Sequence, residues 1–99
     1  MACRLLNAST DPQRMIRAMG LPKNLQRSLI TCLQPIWAAH DSVTLCHAHG
    51  RAIGVATGLG LADAITHAQF LFLAQVYMRA FEIRLAMLKE SPLLNSDSL

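Results

Sequence analysis

His40, Cys46, His47 and His49 form the only dense group of metal-ligating side chains in this 99-residue chain. Zinc sites pair their ligands as Cys-x2–4-Cys or His-x3–5-His. On a helix Cys46 and His49 are neighbours, but His47 and His49 point to different sides, and His40 and His47 stack two turns apart. His67 could serve as a remote partner to them. A metal- or haem-binding protein using the histidines of 40–49 is one alternative. The spacing favours ordinary histidines near a helix end, where an imidazolium meets the negative dipole. No metal and no cofactor is expected.

Asp63 and His67, four residues apart, form the second constellation. In a helix both would lie on its apolar arc near Phe70 and Ala74, and an Asp can orient an imidazole for general-base work. No serine or cysteine sits at a spacing that would make it the nucleophile, and Cys32 and Cys46 lack an activating motif. Asp63 is read instead as charging the first turn of a helix, with His67 packed beside it. No catalytic residue is assigned, and the chain is not expected to be an enzyme.

The elements that must position these groups are helical. Sustained alternation and tight hairpin dipeptides are absent, so no strand is expected. Ser9-Thr10-Asp11-Pro12 marks a helix start, since Asp accepts free N–H groups and Pro at the first position has none to lose. Met15, Ile16 and Met19 give this short helix its apolar face, and Gly20 ends it. Leu21-Pro22 opens a second helix, with Leu25, Leu29, Cys32, Leu33, Ile36 and Trp37 at helical spacing. Pro35 either kinks it or begins a third helix running to about His49, with Gly50 as its stop. His40-Asp41-Ser42 is a second break signal. Gly54, Gly58 and Gly60, among alanines 52, 56 and 62, predict irregular or partly helical backbone over 54–60. A last helix is expected from about 61 to 89, ended by Ser91-Pro92.

That last helix carries the strongest signal. Leu71, Ala74, Met78, Phe81, Leu85 and Leu88 form one stripe; Leu73, Val76, Ala80, Ile83 and Met87 form another beside it. At roughly 100° per residue the combined arc spans about 220°, against about 100° for an ordinary amphipathic helix. Gln75, Arg79, Glu82, Lys89 and Glu90 make the remaining polar strip. Arg84 falls inside the apolar arc, between Leu73 and Tyr77, where a charge needs a partner or a route to water. Asp41, or an acid on another protein, would suit its planar fork. Trp37 is a core anchor or an interface anchor.

The composition agrees with a folded chain that has apolar surface to spare. It is 53% apolar and 15% charged, against about 45–50% and 25% for globular domains. A chain this short buries only about 60–65% of its unfolded surface. The net charge is +3, and Arg4, Arg14, Arg17 and Arg27 make the first third basic. There is no basic run with interleaved aromatics, so the nucleic-acid signal is weak. An odd set of cysteines, Cys3, Cys32 and Cys46, fits reduced thiols and a cytoplasmic setting. The N-terminus lacks an apolar run of signal-peptide length.

A single all-α domain over 1–99 is therefore expected. It is a small helical bundle or hairpin with a short N-terminal helix, a kinked middle region, one long C-terminal helix, and fraying at 1–8 and 92–99. The expected function is a non-catalytic protein–protein interaction module, such as an adaptor, a small chaperone or a subunit of a larger assembly. Its interface would comprise Leu71, Ala74, Met78, Phe81, Arg84, Leu85, Leu88 and Trp37. Its partner would be a second copy or another helical protein. The alternative is a small membrane-embedded subunit spanning with 52–78, a stretch free of Lys, Arg and Glu. Asp63 near mid-span would cost about 2.5–3.5 kcal/mol, so membrane contact is not favoured.

Overall fold

The computed structural model describes residues 11–89. The expected fraying at 1–8 and 92–99, the Ser91-Pro92 stop, and Cys3, Arg4 and Glu90 lie outside the described residues. Within them the chain is all-α. Its helices are α1 (Pro12–Arg17), α2 (Lys23–Thr31), α3 (Leu33–Ala38), α4 (Ser42–Leu61) and α5 (His67–Lys89).

The start of α1 follows the expected chemistry. The Asp11 carboxylate accepts from the Arg14 amide at 3.1 Å, and Pro12 opens the helix. Gly20, at φ +71°, turns the chain after α1, a conformation that costs glycine little. Pro35 neither kinks a helix nor begins one. The break lies at Cys32, which ends α2 and precedes α3, and Pro35 sits in the first turn of α3. An N–H at that position would have no helical partner, so its loss is harmless.

The third helix does not run from Pro35 to His49. It stops at Ala38, and α4 begins at Ser42, where the Asp41 carboxylate accepts from the Thr44 amide at 2.7 Å. Gly50 does not end it. The helix continues through Gly54, Gly58 and Gly60 to Leu61, contrary to the irregular backbone expected there. Tertiary burial overrides the low glycine propensity. Leu45, Ala48, Ala52 and Ala56 form a buried stripe along α4. A Cβ at Gly50, Gly54 or Gly58 would meet nothing within 4 Å, so the alanines face the core and these glycines face outward.

The last helix starts at His67, six residues later than expected, because residues 62–66 form a doubly capped turn. Ala64 N–H donates to the Leu59 carbonyl at 2.9 Å and Asp63 N–H to the Gly60 carbonyl at 3.1 Å, with Asp63 left-handed at φ 59°. This is a Schellman ending with Asp where Gly is usual. The next helix opens with a capping box. Thr66 N–H donates to Gln69 Oε1 at 2.8 Å, and Gln69 N–H donates to Thr66 Oγ1 at 3.0 Å. Ile65 and Phe70 flank that cap at the hydrophobic-staple positions.

The turn folds α5 back on α4. A Cβ at Gly60 would lie 4.0 Å from the Phe70 Cβ, and the His49 and Phe81 rings sit 5.1 Å apart. Both pairs sum to the same residue number, the register of an antiparallel hairpin. Leu73, Val76, Tyr77 and Ala80 of α5 are fully buried. Helices α1 to α3 form the second layer; α5 packs against α1 and α3, and α4 against α2 and α3. Ile16, Leu29, Leu33 and Ile36 complete the core. Each fully buried side chain of this size contributes about 1.5–3 kcal/mol. The thinnest dimension is 19 Å, the depth of two helix layers.

Residues 52–78 are thus not one helix: the turn divides them between α4 and α5. No helix among the described residues is long and apolar enough to cross a membrane.

Candidate functional site

Helix α5 holds most of the interface expected from the sequence, and the fold divides those residues in two. Phe81, half-buried, packs against the core and tilts onto His49. Leu88 is buried, and Trp37 of α3 packs half-buried against the same core. These three side chains are committed within the chain. Leu71 and Met78, 48% and 43% exposed, remain on the outer face, with Ala74 half-buried beside them and Leu85 at the edge, packed in part against the core. Of the two apolar stripes, the one through Leu73, Val76 and Ala80 is covered and the one through Leu71 and Met78 is open. Met87, on the covered side of the wheel, is 51% exposed in the last turn.

Arg84 is half-buried and, among the described residues, has no carboxylate partner. Its Nε and Nη2 donate to the Ala39 carbonyl at 3.1 and 2.9 Å. That carbonyl closes α3, at the negative end of the helix, and Ala39 itself is buried. The expected role for Asp41 is therefore corrected: Asp41 caps α4. The guanidinium instead ties α5 to the α3–α4 junction through a charge-assisted bond. Tyr77 does the same for α2, its buried hydroxyl donating to the Leu29 carbonyl at 2.7 Å. Burial pushes the Tyr77 phenol well above its ordinary range, and Cys32 beside it acts in the same direction. Burial also raises the Cys32 thiol above its ordinary range.

Arg79 is not the fully exposed residue expected of the polar strip. It is half-buried, and its Nε is buried without a hydrogen-bond partner. With Leu71, Ala74, Gln75, Met78 and Glu82 it lines a shallow groove of about 420 Å³ along the outer face of α5. An unpaired buried donor costs about 1–3 kcal/mol. The groove thus combines an apolar floor, a donor without an acceptor, and an exposed carboxylate.

The other constellations are not assembled. Asp63 lies in the turn and His67 opens α5, so they are not helical neighbours; His67 stacks on Phe70 with ring centres 6.3 Å apart. Both line an open cavity of about 340 Å³ with Thr57, Thr66 and Ile65. In the histidine group, His40 sits exposed before α4, Cys46 and His47 are exposed on α4, and His49 turns inward. Among the described residues no three His, Cys, Asp or Glu side chains group as a metal site. Burial lowers the His49 imidazole below its ordinary range, and its Nε2 has no hydrogen-bond partner.

Sequence reasoning missed the Thr66–Gln69 box, although Thr-x-x-Gln before an apolar run is its signature. It also missed the half-burial of Arg79, for which a helical wheel carries no signal. No protein-family model, curated protein or solved structure matches the chain.

Proposed function

We propose that this protein is a non-catalytic helical interaction module, and that the outer face of α5 receives a helix from a second copy or from another helical protein. The observation that carries this reading is the open stripe of Leu71 and Met78, flanked by Ala74 and Leu85, on a helix whose opposite face is already buried. Small and flexible apolar side chains on a groove floor suit an incoming helix, and methionine adapts to its shape. Half-buried Arg79 borders the groove, and Glu82 offers an exposed acceptor. An adaptor, a small chaperone or a subunit of a larger assembly would each use such a face. A reducing, cytoplasmic setting belongs to the same reading, since Cys32 and Cys46 are free thiols.

The test is the mass in solution at micromolar concentration, by size exclusion with light scattering, together with binding of an exposed-hydrophobe dye. A dimer, a higher oligomer, or a dye-binding monomer that awaits a partner is expected. A monomer that binds no dye defeats the reading.

A further inference from the structure

Helices α1 to α3, from Pro12 to Ala38, carry Arg14, Arg17, Lys23 and Arg27 and no Asp or Glu. Lys23, Gln26, Arg27, Ile30 and Thr31 share one face of α2 by their three- and four-residue spacing. The Gly20 turn brings Arg17, the last residue of α1, to that face, and the six side chains line one open cavity of about 310 Å³. All three cations are exposed.

The two cations of α2 are placed unfavourably for the chain alone. Lys23 and Arg27 are like charges one turn apart, which weakens a helix. Lys23 is also the first residue of α2, where the helix dipole repels a cation, and the first turn carries no acid to offset it. Among the described residues the acids that could neutralise the group are elsewhere. Asp11 and Asp41 cap α1 and α4, Asp63 lies in the α4–α5 turn, and Glu82 faces out from α5.

We propose that this cavity is an anion site for a phosphate group, on a soluble metabolite or on a lipid headgroup. A phosphate monoester carries about −1.5 to −2 charge at neutral pH and three strong acceptor oxygens. Two guanidinium forks and an ammonium match that charge and geometry, and the Gln26 amide adds a neutral donor. A single carboxylate would leave the cations under-neutralised. This proposal is independent of the α5 surface.

The experiment is a titration of the isotope-labelled full chain with inorganic pyrophosphate, followed by amide and guanidinium resonances at constant ionic strength. Saturable shifts confined to α1 and α2 are expected, weakening as salt rises. Arg17→Gln with Arg27→Gln should weaken binding by about tenfold or more. Melting gives an independent reading. Pyrophosphate should raise the melting temperature of the wild type, and Lys23→Gln should melt no lower than wild type without anion, because a repulsion is removed. Sedimentation with phosphoinositide vesicles, against pure phosphatidylcholine vesicles, separates the two sources. Pyrophosphate binding without sedimentation identifies a soluble ligand; sedimentation that is lost in the double variant identifies a headgroup. Either result supports the site. Non-saturating shifts, shifts of equal size at Arg51 and Lys89, or binding of duplex DNA without pyrophosphate binding would overturn it.

Discussion

Arg84 shows how one side chain can sit on a buried face without a salt bridge. Its fork closes on the Ala39 carbonyl, where α3 has left an acceptor unmatched. Arg84→Ala is expected to destabilise the fold by about 1.5–3 kcal/mol, the usual worth of a hydrogen bond to a charged group. Arg84→Lys should recover part of this, since it keeps the charge and loses the fork. Denaturant melts of the two variants measure the difference; equal losses would mean that the charge without the fork counts for nothing there. His49 sets a pH dependence. Burial holds its folded-state value below the ordinary 6.5, so between the two values the unfolded chain binds a proton that the folded chain does not. Stability therefore rises with pH through that window and falls on acidification, until folded His49 is itself protonated. The Asp41 carboxyl, lowered by the Thr44 amide, acts in a more acidic range, where stability is lost as it protonates. Melting temperatures at about pH 5.5 and about pH 7.5 should differ in the wild type and differ less in His49→Leu.

At the scale of the element, α4 separates two kinds of small residue. Its alanines lie against the core, while Gly50, Gly54 and Gly58 leave their Cβ positions empty. Gly54→Ala and Gly58→Ala should therefore each stabilise the protein by about 0.5–1 kcal/mol, read as a rise in the thermal midpoint. A fall would mean that the outer face of α4 is closely covered in the protein's working state. The same helix marks the limit of what the residues disclosed. Local chemistry was legible at the caps of Asp11-Pro12, Gly20 and Asp41-Ser42, though not at the Thr66–Gln69 box. Helix α4 was not, because its glycines argue for a break and only the alanine stripe, paired with α5, argues against one. That pairing is a property of two segments together, and no window of sequence contains it. The candidate surface was half legible. The wheel placed Leu71 and Met78 on an apolar stripe and Arg84 inside the arc. Which stripe the rest of the chain covers depends on where α1 and α3 dock.

On the scale of the whole molecule, two helix layers 19 Å deep leave every helix with an uncovered side. On α4 that side carries Val43, Val55 and Leu61 among its glycines; on α5 it carries Leu71 and Met78. Replacing Met78 by Asp should leave the fold intact, because the side chain is 43% exposed, and should abolish assembly through that face. Circular dichroism checks the first expectation and light scattering the second. Loss of helicity in Met78→Asp would place the residue in the core of the single chain instead. Surface burial alone would not set the strength of such an assembly, which depends on how well Arg79 and Glu82 are answered.

The capped turn between α4 and α5 has a consequence in time as well as in space. Five residues, 62–66, join the two longest helices, and the turn holds its own hydrogen bonds on both sides. Closing so short a loop takes on the order of 100 ns or less, whereas Tyr77 reaches Leu29 and Arg84 reaches Ala39 only across separations of 48 and 45 residues. The hairpin is therefore expected to be the nucleus on which α1 to α3 condense, and unfolding should run in reverse, with the N-terminal layer opening first. Native-state hydrogen exchange reads this directly. Amides of Ala52, Ala56, Leu73 and Val76 should be the last to exchange, and slower exchange in α2 than in α5 would reverse the order.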